Sequence, residues 1–150
     1  MPSVRIGSRA APAAKRLGLA FLPYVGYGDT TFQRRPGVRG VALRVDQTLY
    51  SESDRPSWWA RIASVSLGLA TRTSADSVKQ LLSRQLGTPR TYCYVSGDES
   101  RLVVLYFWPD HAPNGVLLTV PLQPQEDPFL TFGAIEPDSN RSAPGKCDAA

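Results

Sequence analysis

The clearest helical pattern in the chain covers residues 75–86, where apolar positions recur at helical spacing. Residues three and four apart lie on one face of a helix. Four apolar residues form such a stripe: Val78, Leu81, Leu82 and Leu86. Thr73 followed by Asp76 is typical of a helix start, and Gly87 is typical of a helix end. The pattern predicts one main helix over residues 75–86.

After this helix the pattern changes to alternating positions and apolar runs, which are typical of strands. Residues 102–108 are seven consecutive apolar residues and indicate a central strand covered on both faces. Further strands are predicted over residues 91–95, 116–120 and 129–135. We therefore expect an α+β fold, in which the main helix packs on an antiparallel β-meander of three or four strands.

The region before the helix is less regular. Residues 38–50 alternate weakly and indicate a strand. Residues 58–63 are compatible with a short helix, whereas residues 64–69 alternate as a strand does, so the two predictions compete. Trp58, Trp59 and Arg61 lie in this segment. They are interpreted either as core residues or as a contact patch, because Trp and Arg are enriched at binding hot spots.

Composition suggests three parts and excludes several classes of protein. Residues 1–35 are predicted to be a basic N-terminal arm or targeting-like segment, residues 36–135 a single α+β domain, and residues 136–150 a disordered tail. The 150 residues include 13 Pro and 12 Gly, which favours short elements. No apolar stretch approaches the roughly 20 residues that span a bilayer. A polytopic membrane protein, a coiled coil and collagen are excluded.

Charge is concentrated near the N-terminus. Residues 1–44 hold eight bases and one acid, a net +7, and residues 45–150 carry a net −3. Three arginines cluster around the turn at Pro36-Gly37: Arg34, Arg35 and Arg39. Loops lie on the surface, so these arginines are predicted to contact an acidic protein partner. A nucleic-acid partner is not expected, because no recognised motif accompanies the basic residues.

Residues 1–25 have the order of a targeting signal, with a basic stretch followed by an apolar patch at residues 17–22. A secretory signal, an organellar transit peptide and a basic surface arm leading into a short core segment remain as alternatives.

Candidate chemistry is sparse. His111 follows Asp110 in a turn, but no nucleophile is predicted beside it, so we interpret it as an exposed turn residue. With one His and two Cys in the chain, no catalytic residue, metal site or cofactor is predicted. Cys93 lies in a predicted strand and Cys147 in the tail. Export would allow a bond between them that pins the tail to the sheet, whereas in a cytosolic chain Cys93 is a small core residue and Cys147 a free thiol. A disordered tail favours no bond.

Residues 65–120 resemble small bacterial envelope lipoproteins of the SmpA/OmlA (BamE-like) kind. The resemblance is carried by a strand ending in Leu67-Gly68, a helix containing Ser77-Val78 and closing with Leu86-Gly87-Thr88-Pro89, and the strands that follow. It implies an α+β fold and a non-catalytic role supporting an envelope assembly, in the periplasm or outer envelope, with peripheral association to a membrane. Tyr27 stands where such a lipoprotein has its lipidated Cys, so no lipid anchor is predicted.

Together these observations predict a non-enzymatic binding or assembly module of the bacterial cell envelope. The alternative is an accessory subunit of a larger complex, for example in an organelle, whose basic N-terminal arm contacts its partner. Six residues are predicted to bind a protein partner: Arg34, Arg35, Arg39, Trp58, Trp59 and Arg61.

Overall fold

The computed structural model describes residues 4–29, 37–70, 72–96, 101–111, 114–123 and 125–148. The chain divides into two compact units, unit 1 (Met1–Leu67) and unit 2 (Gly68–Ala150).

The described residues of unit 1 form one helix and four strands, in chain order α1 (Ala10–Leu17), β1 (Ala20–Leu22), β2 (Gly26–Asp29), β3 (Val38–Val45) and β4 (Ile62–Leu69), whose last two residues belong to unit 2. The strands are neighbours in the order β1-β2-β3-β4. β1 pairs antiparallel with β2, and β2 with β3. A Cβ at Gly28 would lie 2.2 Å from Leu22 Cδ1 and 2.8 Å from the Val41 carbonyl oxygen, so the close packing of β2 requires glycine there.

The core of unit 1 forms where α1 lies against the strands. Three alanines of α1 are almost completely buried with Leu43 of β3 and Ile62 of β4: Ala10, Ala13 and Ala14. Because alanine is small, the helix backbone approaches the strands closely. α1 ends at Gly18, which adopts the left-handed conformation with a φ of 68°. Part of the segment predicted to be a basic arm is therefore core.

Unit 2 contains α2 (Arg72–Leu86), β5 (Arg90–Ser96), β6 (Arg101–His111), β7 (Asn114–Pro121), β8 (Phe129–Ile135) and α3 (Pro144–Asp148). A 3-10 turn at Ser139–Arg141 precedes α3. The strands are neighbours in the order β8-β7-β6-β5, and each pair is antiparallel.

Apolar residues cover both faces of β6. On one face Trp108 packs with Ala75 of α2 and Leu118 of β7. The Trp108 ring is 1% exposed, and its Nε1 donates a hydrogen bond to the Gly87 carbonyl oxygen at 2.9 Å, which joins the end of α2 to β6. On the other face Phe107 packs with residues such as Tyr92. The prediction of a central strand over residues 102–108 is confirmed.

The predicted fold class is wrong. The described residues form eight strands with three short helices, 45% strand and 22% helix, instead of one main helix on a meander of three or four strands. The missed elements are α1 and the short strands β1 and β2. β1 and β2 have only three and four residues, and α1 is eight residues long, contains Pro12 and buries only alanines, so none of the three stands out in the sequence as a separate element.

Two local predictions also differ from the structure. Residues 58–63 do not form a helix: residues 58–59 are a turn, and β4 begins at Ile62. The C-terminal tail, predicted to be disordered, contains the 3-10 turn and α3, and Cys147 is disulfide-bonded to Cys93 with their Cα atoms 5.9 Å apart. The covalent tie orders a segment whose composition alone indicates disorder. Within the described part of the chain, no helix is long and apolar enough to cross a membrane.

Candidate functional site

Two adjacent tryptophans lie outside the core of unit 1. Trp58 and Trp59 are 67% and 56% exposed, so the interpretation that they are core residues is wrong. They lie in a turn closed by a hydrogen bond of 2.9 Å from the Ala60 amide to the Ser57 carbonyl oxygen. The Ser57 amide also donates to Gln47 Oε1 at 2.8 Å. The backbone that presents the two rings is thus fixed at its start and at its end.

The N-terminal segment pairs with the chain that follows these tryptophans. The Gly7 amide donates to the Ile62 carbonyl oxygen, the Ile62 amide to the Ser8 carbonyl oxygen, both at 2.8 Å, and Arg9 stands opposite Arg61. This pairing places the Arg9 guanidinium carbon 4.8 Å from the centre of the Trp58 ring. A guanidinium at that distance makes a cation–π contact.

Arg61 is held by contacts of its backbone and its side chain. Its amide donates to Asp46 Oδ1 at 2.9 Å, and the Asp46 amide donates to the Arg61 carbonyl oxygen at 3.0 Å. Its Nη1 donates to the Gly7 carbonyl oxygen at 2.7 Å. The residue nevertheless remains exposed. Arg9, Trp58, Trp59 and Arg61 are called here the Trp–Arg surface.

Unit 1, which carries the Trp–Arg surface, is basic by sequence. The sequence of unit 1 holds ten bases and four acids, a net +6, whereas residues 68–150 hold seven bases and nine acids. Two acids of unit 1 accept hydrogen bonds from backbone amides: Asp46 from Arg61, and Asp54 from Tyr50 and Ser51. These carboxylates keep their negative charge, and the excess of bases by sequence leaves unit 1 positive.

A second arginine–aromatic pair lies on the loop that precedes the Trp–Arg surface. The Arg55 guanidinium carbon is 5.1 Å from the centre of the Phe21 ring of β1. Tyr50, at the start of the same loop, is 85% exposed. Exposed aromatic and arginine side chains therefore extend along residues 50–61.

The other predicted binding residues are placed as follows. Arg39 lies on β3 with its side chain exposed. Arg34 and Arg35 lie outside the described residues, so the predicted arginine cluster stays a prediction. Arg9 was not predicted individually. It lies in a uniformly basic stretch, and only its pairing with a distant segment distinguishes it from its neighbours.

The described residues of unit 2 offer no comparable candidate. An open depression of about 370 Å³ on α2 is lined by Asp76, Lys79, Gln80, Ser83 and Arg84. It is open and carries both signs of charge, whereas small-molecule sites are enclosed and largely apolar. Lys79 Nζ lies 4.0 Å from the centre of the Tyr106 ring. The side chain of His111 lies outside the described residues.

Three or more metal-ligating side chains do not cluster anywhere in the described ranges. Comparisons of the chain with protein-family models, with curated proteins and with solved structures find no match.

Proposed function

We propose that this protein is a non-catalytic binding module that docks an acidic protein partner on the Trp–Arg surface of unit 1. The observation that carries this proposal is the exposure of Trp58 and Trp59 on a fixed turn, with Arg9 placed over one ring. Buried Trp and Arg side chains supply most of the binding energy at many interfaces. A backbone fixed before binding loses little entropy when the partner docks.

Charge favours an acidic partner. Unit 1 carries a net +6 by sequence, and Arg9 and Arg61 lie in the Trp–Arg surface itself. Complementary charge accelerates association and rejects partners of the same sign. Arg34, Arg35 and Arg39 belong to the same basic region of the sequence and are proposed to strengthen this attraction.

A place in the bacterial cell envelope is part of the proposal. It is supported by the Cys93–Cys147 disulfide, since disulfides persist mainly in oxidising compartments, and by the resemblance of residues 65–120 to envelope lipoproteins. The alternative, an accessory subunit with a free basic arm, is less favoured. Residues 10–17 would have to leave the core that they form with Leu43 and Ile62.

Photo-crosslinking from the two units tests the proposal. A benzophenone amino acid in place of Trp59, in the cells that make the protein, is expected to yield a discrete adduct with an acidic protein. The matched control carries the same amino acid in place of Leu86, an exposed apolar residue of α2 in unit 2. An adduct from position 86 and none from position 59 would overturn the proposal.

A further inference from the structure

The C-terminal segment covers the outer edge of β5. Within unit 2, β5 is the last strand in the order, paired on one side with β6. On its other side, the backbone of Cys93 hydrogen-bonds to Ser142 and Ala143 of residues 136–148, which are called here the strap. An uncovered edge strand presents unpaired amides and carbonyls to any other strand. The strap therefore occupies a position where another chain would otherwise pair.

The strap is attached to the edge at Cys93. The Ala143 amide donates to the Cys93 carbonyl oxygen at 2.8 Å, and the Cys93 amide donates to Ser142 Oγ at 3.0 Å. The Cys93–Cys147 disulfide closes this contact covalently, and Cys93 is 3% exposed. Both edge-facing backbone groups of Cys93 are thus satisfied by the strap.

Two tyrosines of β5 hold the first part of the strap. The Tyr94 hydroxyl donates to the Asp138 carbonyl oxygen at 2.7 Å, and the Tyr92 hydroxyl to Glu136 Oε1 at 2.8 Å. Arg90 forms an ion pair with Glu136. Apart from the disulfide, these contacts are polar and reversible, so the disulfide is the one bond whose loss needs a chemical reaction.

We propose that the strap is released by reduction and that the β5 edge then binds a second copy of this chain. The reductant is a dithiol. It gives two electrons and two protons, so the S–S bond breaks, Cys93 and Cys147 become thiols, and the dithiol becomes a disulfide. The amide and carbonyl of Cys93 then lose their partners in the strap and become available to another strand.

The sequence of β5 favours pairing with itself. Antiparallel pairing centred on Cys93 gives a two-fold interface, which is the commonest symmetry of homodimers. In that register Tyr92 stands opposite Tyr94 and Thr91 opposite Val95, which are favourable cross-strand pairs. Arg90 is the one charged residue of β5 by sequence and stands opposite Ser96, so no like charges face each other.

Hydrogen exchange and light scattering of the full chain test this inference. On reduction, or in the Cys93→Ser/Cys147→Ser variant, the amide of residue 93 is expected to exchange about 10-fold faster in dilute solution. The amide of Leu118, in the core beneath α2, opens with the whole fold and reports the loss of global stability that follows removal of the disulfide, so residue 93 is expected to have a lower opening free energy than Leu118. At high concentration the reduced protein becomes a dimer, whereas the oxidised protein stays monomeric.

Thr91→Pro in the reduced protein is the matched control. Thr91 lies two residues from Cys93, so its amide points to the same edge, and proline there removes an edge donor without removing a β6 partner. It is expected to abolish the dimer and leave strap release intact. Unchanged exchange at residue 93, an opening free energy at residue 93 equal to that at Leu118, or a reduced protein that stays monomeric would each overturn the proposal.

Discussion

The guanidinium of Arg9 lies over the ring of Trp58, although the two residues come from distant parts of the sequence. Their contact depends on the pairing of residues 7–10 with residues 60–62, which also sets Arg9 opposite Arg61. A basic N-terminal segment and an exposed aromatic turn thereby become one surface. The proposed docking site therefore forms only when these two distant segments pair in the folded protein.

The Arg9–Trp58 contact is expected to be weak but measurable. A double-mutant cycle with Arg9→Gln and Trp58→Leu should give a coupling free energy of about 0.5–1 kcal/mol, as at other exposed cation–π pairs. Urea unfolding of the four proteins supplies the measurement. A cycle that pairs Arg5→Gln with Trp58→Leu is the control and should give a coupling near zero. Equal coupling in both cycles would mean that Arg9 makes no specific contact.

The hydrogen bond from Trp108 to Gly87 predicts a difference between the tryptophans. Trp108→Phe should lower the free energy of unfolding by about 1–3 kcal/mol, because it removes this hydrogen bond and opens a cavity at a buried site. Trp59→Phe, at an exposed site, should change it by less than about 0.5 kcal/mol. Chemical denaturation followed by circular dichroism compares the two. Equal losses would contradict the structure around Trp108.

The burial of α1 predicts that this helix is part of unit 1. Ala13→Leu should destabilise the protein by about 1–3 kcal/mol, since no space exists for a larger side chain between α1 and the strands. Lys15→Leu, on the exposed side of the same helix, is the control and should have little effect. If Ala13→Leu were as harmless, residues 10–17 would be a free arm, and the alternative function would regain support.

The contacts of Glu136 predict that the stability contributed by the strap depends on pH. Hydrogen bonds from Arg90 and then Tyr92 hold the pKa of the Glu136 carboxyl below its usual value. Because the pKa is lower in the folded state, the carboxylate adds stability above the unfolded-state pKa and loses it as pH falls through the folded-state pKa. Tyr92→Phe should raise this pKa towards its usual value in an NMR titration. Tyr94→Phe, which removes a hydroxyl bonded to Asp138, should leave it unchanged.

Removal of the disulfide is expected to lower the stability of the whole fold, an effect that is separate from release of the strap. Cys93→Ser/Cys147→Ser should lower the free energy of unfolding by about 2–4 kcal/mol, because the link closes a long loop in the unfolded chain. Denaturant unfolding of this variant and of the oxidised wild type provides the comparison. No loss would mean that the bond contributes nothing to folding.

Elements with their own hydrophobic period could be predicted from the sequence, and those held by distant partners could not. The apolar run of β6 and the stripe of α2 were recognised, although Leu81 and Leu86 of that stripe are exposed. β1 and β2 have three and four residues and form only by pairing with each other and with β3.

The same distinction applies to the candidate site and to the strap. Trp58, Trp59 and Arg61 were recognised because Trp and Arg are enriched at binding hot spots. Arg9 was missed because its position depends on the bridge to Arg61. The strap was missed because the composition of residues 136–150 indicates disorder, while the bond to Cys93 is invisible to composition.

The affinity of the acidic partner identified from position 59, measured by calorimetry between about 50 and 300 mM salt, tests the central claim most directly. Trp58→Ala/Trp59→Ala is expected to weaken binding at least about 10-fold at every salt concentration, as loss of hot-spot residues does. Arg9→Gln/Arg61→Gln should flatten the salt dependence, and Lys79→Gln/Arg84→Gln on α2 should leave both unchanged. Wild-type affinity in the tryptophan variant, with the same salt dependence in all proteins, would contradict the account.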